Sequence, residues 1–473
     1  MCEKCGDFRH VEGGNTGYTV SAFSAALPTY SVTQVADYLV NGFWTENGLS
    51  PRKFAVSSGG TLTYSVVGVA AAGVWFIEKA LQAWSAATGI NFVKTTGTAD
   101  IVFEDDDPSG AYNFSSTSGS TIIQSTVNVH PSWYAGEEYD LHSYSYQTYV
   151  HEIGHALGLG HGGNYNGSGS FPGDAHYAND SWQMSVMSYF SQTENPNVNA
   201  DLAFVLTPMI ADVTAVHSMY GTPTNVNTGN TIWGYGSNAQ GPAGDFASLA
   251  GGGIGIAMTV VDTGGIDTFD FSQTQANQKI RLQPGKISDV LGYTGNLIIA
   301  KGSVIEHAYG GGGNDLIVGN WRDNHLFGNG GDDHLKGGKG DDELTGGAGV
   351  DALRGGKGSD ILYGSSGDDK IRGGGASDDI YGGAGDDWLK GGFGKDRFYF
   401  DDGTDRIVDF NEGQNDKIYI DDALTGGATA TQILNNNATV QNGDVHIDFG
   451  NGDVLIIEGV TDKMDLVDDI LFY

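Results

Sequence analysis

Hydrophobic positions follow two different patterns along this chain of 473 residues. In the first half, three stretches near 33–46, 74–88 and 146–158 are predicted as helices, and "IEKALQAWSAATG" within the second is amphipathic. Between 225 and 308, β-rich segments such as "GIAMTVVDTGG" and "NLIIAKGSVIEHA" follow. From 310 to 399 a strict nine-residue period takes over. The pattern therefore predicts a domain that contains helices followed by an all-β domain.

The nine-residue array consists of ten consecutive units, among them "GGKGDDELT" and "GGAGDDWLK". Glycine occupies the first position of every unit, the sixth is aspartate in nine units and Asn324 in the other, and the eighth is always apolar. A unit cannot bury its own apolar residue, so successive units must stack, and the short apolar segments become the strands of a parallel β-roll. A glycine-rich disordered linker would not need so strict a register.

Glycine turns direct carbonyl oxygens inward and the sixth-position carboxylate adds a hard oxygen, so two successive turns can complete a calcium shell. Several Ca²⁺ ions are therefore expected. The ligand candidates in the array are Gly311, Gly313, Asp315, Gly331, Asp333, Gly338, Gly340, Asp342, Gly347, Gly349, Asp351, Gly356, Gly358, Asp360, Gly367, Asp369, Asp378, Gly383, Gly385, Asp387 and Asp396. Weaker binding is expected around the second unit, which has Arg322 and Asn324, and around the eighth, which has Ala376.

Composition agrees with a stacked repeat and narrows the classes of partner. The chain has 75 glycines, ten prolines and a net charge of −35. Such a charge argues against nucleic acids and anionic membrane surfaces as partners. No lysine or arginine occurs between Lys94 and Lys279. That gap is explained either by a drift towards small polar surface residues or by a negative field that attracts basic substrates.

Candidate chemistry lies in "HEIGHALGLGH", residues 151 to 161. His151 and His155 are four residues apart on one helical face, and Gly158 allows a sharp turn that returns His161 to the same point. Three imidazoles around one point suit a single Zn²⁺ with a fourth position open to water. Glu152 projects beside that position, where it can act as general base. The spacing predicts a hydrolytic zinc site.

A second segment, "SVMSYF", follows at residues 185 to 190 and contains Met187 and Tyr189. The order and distance favour a methionine turn beneath the metal. Together the two segments resemble the serralysin group of metzincin zinc proteases. The resemblance spans the chain from about Val32 to the C-terminus. It implies zinc ligation by the three histidines, general-base catalysis by Glu152 and a catalytic role for Tyr189 as a mobile fifth ligand.

The repeats resemble the RTX calcium-binding nonapeptides of serralysins and secreted toxins. That resemblance implies secretion through a type I exporter, with a recognition element at the C-terminus, here "DLVDDILFY". It also implies a periplasmic protein inhibitor as a further partner. "DTGGIDTFDFS" is similar to the serralysin segment that binds calcium ahead of the repeats, which makes Asp262, Gly264 and Asp267 ligand candidates.

The N-terminal "MCEKCGDFRH" has no apolar signal core, and the longest apolar run, residues 65 to 76, is too short to span a bilayer. "EKCGD" faintly resembles the cysteine latch of matrix metalloproteinase propeptides. Cys5 could occupy the open zinc position in a zymogen. The alternative is a leader whose two cysteines have no role.

The predicted organisation is a metzincin-type α+β protease domain followed by an all-β RTX roll. The domains expected are a leader at 1–31, the zinc protease domain at 32–224, a β-rich connection at 225–309, the roll at 310–399, and a cap with the secretion signal at 400–473. A monomeric, secreted endopeptidase is expected, which pairs protein or peptide substrates with an edge strand near 110–116 and therefore has broad specificity. The alternatives are a calcium-dependent adhesin or binding module and a degenerate, non-catalytic protease.

Overall fold

The computed structural model describes residues 27–249 and 253–473. Cys5 and most of the predicted leader therefore lie outside the described residues. The chain divides into two compact units, one comprising Met1–Gly265 with Tyr293–Ser303 and the other comprising Ile266–Gly292 with Val304–Tyr473. The predicted domain boundaries stay predictions, although the first unit extends past residue 224.

The first unit contains the helices that position the histidines. A capping box at Ser31 begins the first helix, and a π-helical segment, Tyr38–Gly42, joins it to the second. The α-helices are Val32–Asp37, Phe43–Glu46, Ala71–Thr88, Tyr144–Ala156 and Ile210–Tyr220. Buried Trp84 donates its indole N–H to the Val150 carbonyl oxygen at 2.9 Å, so Ala71–Thr88 packs directly against the helix that carries His151.

A five-stranded sheet belongs to the same unit. Its order is Asn91–Lys94, Thr61–Ser65, Ile101–Glu104, Thr121–Val129 and Ala111–Ser118. The last strand pairs antiparallel with its neighbour and the other pairings are parallel. Ala111–Ser118 lies at the edge of the sheet and packs against the helix Tyr144–Ala156. Three further strands, Ala203–Val205, Gly255–Val260 and Tyr293–Ile299, pair in parallel, and Ile232–Gly234 is a short strand.

The second unit contains two parallel sheets built from alternating repeat units. The first roll sheet runs Asp453–Ile457, Thr404–Ile407, Trp388–Phe393, Lys370–Gly375, Ala352–Lys357, His334–Lys339, Leu316–Val318 and Lys279–Arg281. The second roll sheet runs Ile470–Phe472, Lys417–Ile420, Arg397–Phe400, Asp379–Ala384, Ile361–Ser366, Glu343–Ala348, His325–Gly330, His307–Tyr309 and Thr268–Asp270.

Three antiparallel strands flank the first roll sheet: Ile287–Val290, Ala438–Gln441 and Asp444–Gly450. Two short helices, Asp422–Thr425 and Ala430–Asn436, lie in the C-terminal part. Within the repeat array, paired strands are 18 residues apart, because each repeat unit hydrogen-bonds to the next but one along the chain. The eighth-position side chains, from Ile317 to Phe398, are all buried, and the core of the roll is a column of these apolar residues.

Within the described ranges, no helix is both long and apolar enough to cross a membrane.

Candidate metal centre

The helix Tyr144–Ala156 presents two of the three histidines. Ser143 begins it as N-cap, its side chain accepting the Tyr146 backbone N–H, and the helix ends before Gly158. Gly158 has a φ of +101°, and a Cβ there would lie 2.1 Å from the carbonyl oxygen of Arg52. Only glycine therefore fits the turn that leads the chain from the helix to His161.

The three imidazoles converge through their Nε2 atoms. Nε2 of His155 lies 3.1 Å from Nε2 of His151 and 3.0 Å from Nε2 of His161. The candidate ligand atoms of all three residues lie within 4.8 Å of one another, and all three residues are buried. The other ring nitrogens of His151 and His155 face carbonyl oxygens, of Val186 and Leu159 respectively, each at 2.8 Å. Such backbone acceptors leave Nε2 free for a metal.

The electrostatics of the site keep these rings neutral. Burial, followed by the proximity of other imidazoles, lowers the pKa of His151 and of His161 well below the ordinary value. Burial lowers the pKa of His155 to about 4. Because metals bind neutral imidazole, three close, neutral Nε2 donors fit a zinc ion with one position left for another ligand.

Glu152 is fully buried beside the histidines and borders a cavity of about 340 Å³ that opens to solvent. Burial raises the pKa of its carboxyl group to about 8. A carboxyl group that titrates near neutral pH can both accept and return a proton. The cavity is lined by Tyr144, Gln147, Thr148, His151, Glu152, Trp182, Val186, Ser188 and Tyr189.

Met187 and Tyr189 lie in the same neighbourhood as the histidines. Met187 is fully buried, and a Cβ on Gly154 would lie 2.6 Å from its Sδ, so glycine at 154 lets the helix approach the methionine closely. Gly162 donates its N–H to the Met187 carbonyl oxygen at 3.1 Å. The Tyr189 ring centroid lies 4.6 Å from that of His161, and its phenol oxygen accepts the Gly167 N–H at 3.1 Å.

Asp212 is a residue of this site that the sequence reasoning missed. Its buried carboxylate accepts hydrogen bonds from the Ser185 hydroxyl at 2.6 Å, the Val186 N–H at 2.7 Å and the Met209 N–H at 2.8 Å. Burial raises its pKa to about 7. The only signal in the sequence was a lone acidic residue in the apolar stretch "MIADVTAV".

The roll places the sixth-position aspartates in a common geometry. One carboxylate oxygen, Oδ1, accepts the N–H of the aspartate or asparagine 18 residues earlier, as Asp351 does from Asp333 at 2.8 Å. The other, Oδ2, is buried and has no hydrogen-bond partner among the described residues. This holds for Asp333, Asp342, Asp351, Asp360, Asp369, Asp378, Asp387, Asp396 and Asp405. Buried carboxylate oxygens of this kind are costly without a cation, so they fit calcium sites.

The glycines of the repeat leave room for the aspartate side chains and for the neighbouring turns. A Cβ on Gly337, at the first position, would lie 2.2 Å from Oδ2 of Asp342. Gly347 and Gly349, at the second and fourth positions, have φ of +117° and +132°, and a Cβ on either would lie 2.2 Å from a carbonyl oxygen of the turn 18 residues earlier. Glycine is therefore required for the turns to stack closely.

The two ends of the array differ from its middle. Both carboxylate oxygens of Asp315 accept backbone N–H groups, from Gln278 and Gly311. Asn324 accepts the Asn320 N–H and donates to the Glu306 carbonyl oxygen, so its amide is satisfied by the protein. Asp405, by contrast, has the orphaned Oδ2 although it lies beyond residue 399. The glycine register of the sequence ends at residue 399 because Phe400, not glycine, occupies the first position of the next unit.

The ligand candidates ahead of the repeats divide between the two units. In the first unit, Asp262 is buried and its Oδ1 accepts the Gly264 N–H at 2.9 Å. In the second unit, Asp267 is buried and its N–H donates to a carboxylate oxygen of Glu306 at 2.9 Å. Their predicted calcium ligation stays a prediction.

Comparison with known proteins places the chain in a family. The family model "Peptidase M10 serralysin C terminal" matches residues 222–458, and the model "Matrixin" matches residues 60–167. "Serralysin" from Photorhabdus laumondii subsp. laumondii is 36% identical over 253 residues, which are 51% of this chain and 52% of that protein. "Metallopeptidase AprA" from Pseudomonas marginalis is 37% identical over 254 residues, 51% of this chain and 52% of that protein.

"Serralysin A" from Dickeya chrysanthemi is 32% identical over 333 residues, which are 66% of this chain and 68% of that protein. The chain spans about half the length of the first two relatives and two thirds of the third. A crystal structure of the extracellular lipase LipA from Serratia marcescens matches 37% of this chain and 44% of that chain at 19% identity, with a TM-score of 0.19.

The predicted resemblance and fold class are confirmed by these matches. Since a family model covers half of the chain and Serralysin A aligns over two thirds of its own length, the chain belongs to the serralysin family of metalloproteases, with a matrixin-type domain followed by the family's C-terminal domain.

Proposed function

We propose that this protein is a secreted zinc-dependent endopeptidase of broad specificity. The observation that carries the proposal is the convergence of three buried Nε2 atoms beside the buried carboxyl of Glu152 at an open cavity. The three histidines would hold the metal. When bound there, zinc would polarise a carbonyl group and lower the pKa of water to roughly 7.

The protein's own residues supply the remaining chemistry. Glu152, whose pKa burial raises to about 8, takes a proton from the attacking water and returns it to the leaving nitrogen. The phenol of Tyr189 lies beside the His161 ring and donates a hydrogen bond to the oxyanion that develops on the scissile carbonyl. For this step the phenol must turn from its hydrogen bond with the Gly167 N–H.

Substrate binding is assigned to the edge strand Ala111–Ser118. It packs against the helix of His151 and Glu152 and pairs with Thr121–Val129 on one side only. An extended peptide can add to the other side through backbone hydrogen bonds, which read shape more than side chains. Protein and peptide substrates with little sequence preference follow from this mode of binding.

Calcium is proposed to hold the roll together. Nine buried Oδ2 atoms have no hydrogen-bond partner within residues 27–249 and 253–473, and they need cations for the turns to stack. The roll would therefore be unfolded at cytosolic calcium and fold outside the cell, in keeping with export through a type I system directed by the C-terminal residues. A periplasmic protein inhibitor and a monomeric state complete this proposal.

Calcium-dependent adhesion without catalysis is the alternative. It would use the roll but has no need of Glu152 or the three converging histidines, all of which are present. The two functions are separated by casein cleavage measured with and without a zinc chelator.

The test uses Glu152→Gln in the full-length protein. Zinc content, measured by mass spectrometry, should stay at one equivalent because the ligands are untouched. Casein cleavage should fall by at least about 100-fold, as expected for loss of a general base. Glu138→Gln, on an exposed residue, is the matched control and should be fully active. Full activity of Glu152→Gln would refute the proposed role.

A further inference from the structure

The two sheets of the roll present different outward faces. In each repeat strand the eighth side chain points into the core, so the seventh and ninth point outwards. Units alternate between the sheets, so each outward face carries the seventh and ninth residues of every second unit. Charges that are mixed along the sequence are thereby sorted onto separate faces.

The first roll sheet presents what we call the cationic face. At the seventh and ninth positions of the five strands from His334–Lys339 to Thr404–Ile407, it contains six of the 23 lysine and arginine residues of the chain, together with one tryptophan. Its members are Lys336, Arg354, Lys370, Arg372, Lys390, Arg406 and Trp388. The first four are exposed and the other three are half-exposed. None of the outward residues at the seventh and ninth positions of these strands is acidic.

Four of these cations lie in direct cross-strand register. Lys336 is paired with Arg354, Arg354 with Arg372, and Arg372 with Lys390. Like charges directly opposite each other destabilise a sheet. Four consecutive cations at a spacing of roughly 4.8 Å therefore carry a cost that folding alone does not explain.

The second roll sheet is an internal comparison, since it has the same turns and the same repeat. There, Arg397 forms an ion pair with Asp379 on one neighbouring strand and lies opposite Lys417 on the other, so only two cations stand side by side. Its ninth positions carry stacked tyrosines, with ring centroids 3.9 Å apart between Tyr381 and Tyr399. Balancing the acidic turns thus does not require a row of cations.

The cations are mostly unneutralised. Lys390 lies 3.9 Å from a carboxylate oxygen of Asp409 and Arg406 lies 2.8 Å from one of Glu458. Around the four exposed members, no carboxylate of residues 27–249 or 253–473 comes within 4.0 Å of the charged groups. Asp332, an acidic residue in a neighbouring turn, accepts a hydrogen bond from the Val350 N–H and not from one of these cations.

Trp388 adds an aromatic ring to the row. The Lys370 ammonium lies 4.8 Å and the Arg372 guanidinium 5.1 Å from its ring centroid. The indole ring can stack on an apolar ring of a ligand, while the cations beside it attract an anionic group of the same ligand.

We propose that the cationic face binds an acidic polysaccharide, a linear polymer of uronate sugars, and holds the protein on it. The spacing of the cations is close to the length of one pyranose unit, so successive carboxylates can meet successive strands. The ring of Trp388 can stack on the apolar face of a sugar. Polysaccharide binding by this surface is a function additional to the proposed peptidase activity and does not depend on it.

Other anionic partners fit less well. Duplex nucleic acid carries a charge every 1.7 Å or so, more than twice the density of the cation row, so its phosphates cannot each meet one cation. A planar anionic membrane would also approach the acidic turns that border the face, such as those of Asp332 and Asp368. A single flexible chain can follow the narrow row and avoid the turns.

The experiment measures binding of a short fluorescent oligogalacturonate to the full-length protein in calcium, with a neutral maltooligosaccharide of equal length as the ligand control. Uronate should bind, neutral sugar should not, and added salt should weaken binding. The test variant replaces four cations by glutamine: Lys336→Gln, Arg354→Gln, Arg372→Gln and Lys390→Gln. It should weaken binding by about 30-fold, which corresponds to about 2 kcal/mol.

The control variant removes the same number of charges from residues that do not belong to the face, three in the first unit and one in the second roll sheet: Lys79→Gln, Lys94→Gln, Lys301→Gln and Arg397→Gln. It should bind as the parent does. Equal binding by the two variants would overturn the proposal. If the fourfold variant does not fold, as judged by circular dichroism in calcium, Arg354→Gln with Arg372→Gln alone should still weaken binding several-fold.

Competing partners are tested in the same assay. Tighter, face-dependent binding of a DNA duplex or of anionic phospholipid vesicles would replace the polysaccharide assignment. Sedimentation that shows a dimer lost on removal of the four cations would assign the face to a second copy. Peptidase activity on a small soluble substrate should be unchanged in the fourfold variant, so failure here is distinguishable from failure of the proposed function.

Discussion

The buried carboxylate of Asp212 accepts a hydrogen bond of 2.7 Å from the backbone N–H of Val186. The carbonyl oxygen of Val186 in turn faces Nδ1 of His151 at 2.8 Å. Asp212 thereby holds the methionine turn, and the turn holds the tautomer and direction of a proposed zinc ligand. It acts as a positioning residue, since it reaches the metal site only through the backbone of the turn.

Asp212→Asn should therefore weaken zinc binding without removing any ligand. An amide can accept fewer of the three donated hydrogen bonds, so we expect about tenfold lower zinc affinity and a loss of roughly 1–3 kcal/mol of stability. Competition with a chelator measures the first and thermal unfolding the second. Asp245→Asn, half-exposed in the same unit, is the control. Unaltered zinc affinity in Asp212→Asn would contradict the positioning role.

Tyr189→Phe should lower kcat by about 100-fold and leave KM within a few-fold, because the phenol is proposed to act only on the developing oxyanion. The ring contact with His161 is retained in this variant, so zinc content should not change. Steady-state kinetics on a fluorogenic peptide checks the prediction. A rise in KM with an unchanged kcat would show that the phenol binds substrate instead.

Asp405→Asn and Asp315→Asn should differ in their dependence on calcium. Oδ2 of Asp405 has no hydrogen-bond partner among the described residues, whereas both oxygens of Asp315 accept backbone N–H groups. Asp405→Asn should lower the unfolding temperature in calcium and raise it in chelator, where it removes a carboxyl whose pKa burial raises to about 9 and which must take up a proton for the roll to fold. Asp315→Asn should lower the unfolding temperature in both conditions. Identical behaviour of the two variants would argue against a calcium site at Asp405.

Acid should stabilise the roll when calcium is absent. Burial raises the pKa of Asp342 and Asp378 to about 8, above the unfolded value near 4, so the folded form binds more protons between these limits. In chelator, lowering the pH from 8 towards 5 should therefore increase strand content and the unfolding temperature. In calcium the trend should reverse, since protons compete with the cation. Circular dichroism across this pH range tests both arms, and parallel trends in the two buffers would contradict the argument.

The sequence alone determined the local features of both sites. The four-residue spacing of His151 and His155, the turn at Gly158 and the nine-residue register each follow from the geometry of a helix, a turn or a strand over a few neighbouring residues. The eighth-position residues are buried as the register predicts, because each repeat strand alternates between the core and the solvent. Backbone geometry converts such short spacings directly into a shared direction in space.

Tertiary structure decided the relationships between residues that are distant along the chain. Asp212 reaches Val186 across 26 residues, and Asp405 joins the column of aspartates although no glycine begins its unit. The row of cations appears only when alternate units enter the same sheet, which places Arg354 beside Arg372 across 18 residues. These contacts depend on which strands and turns pack together, and that packing is set by burial of the whole core rather than by the spacing of any local motif.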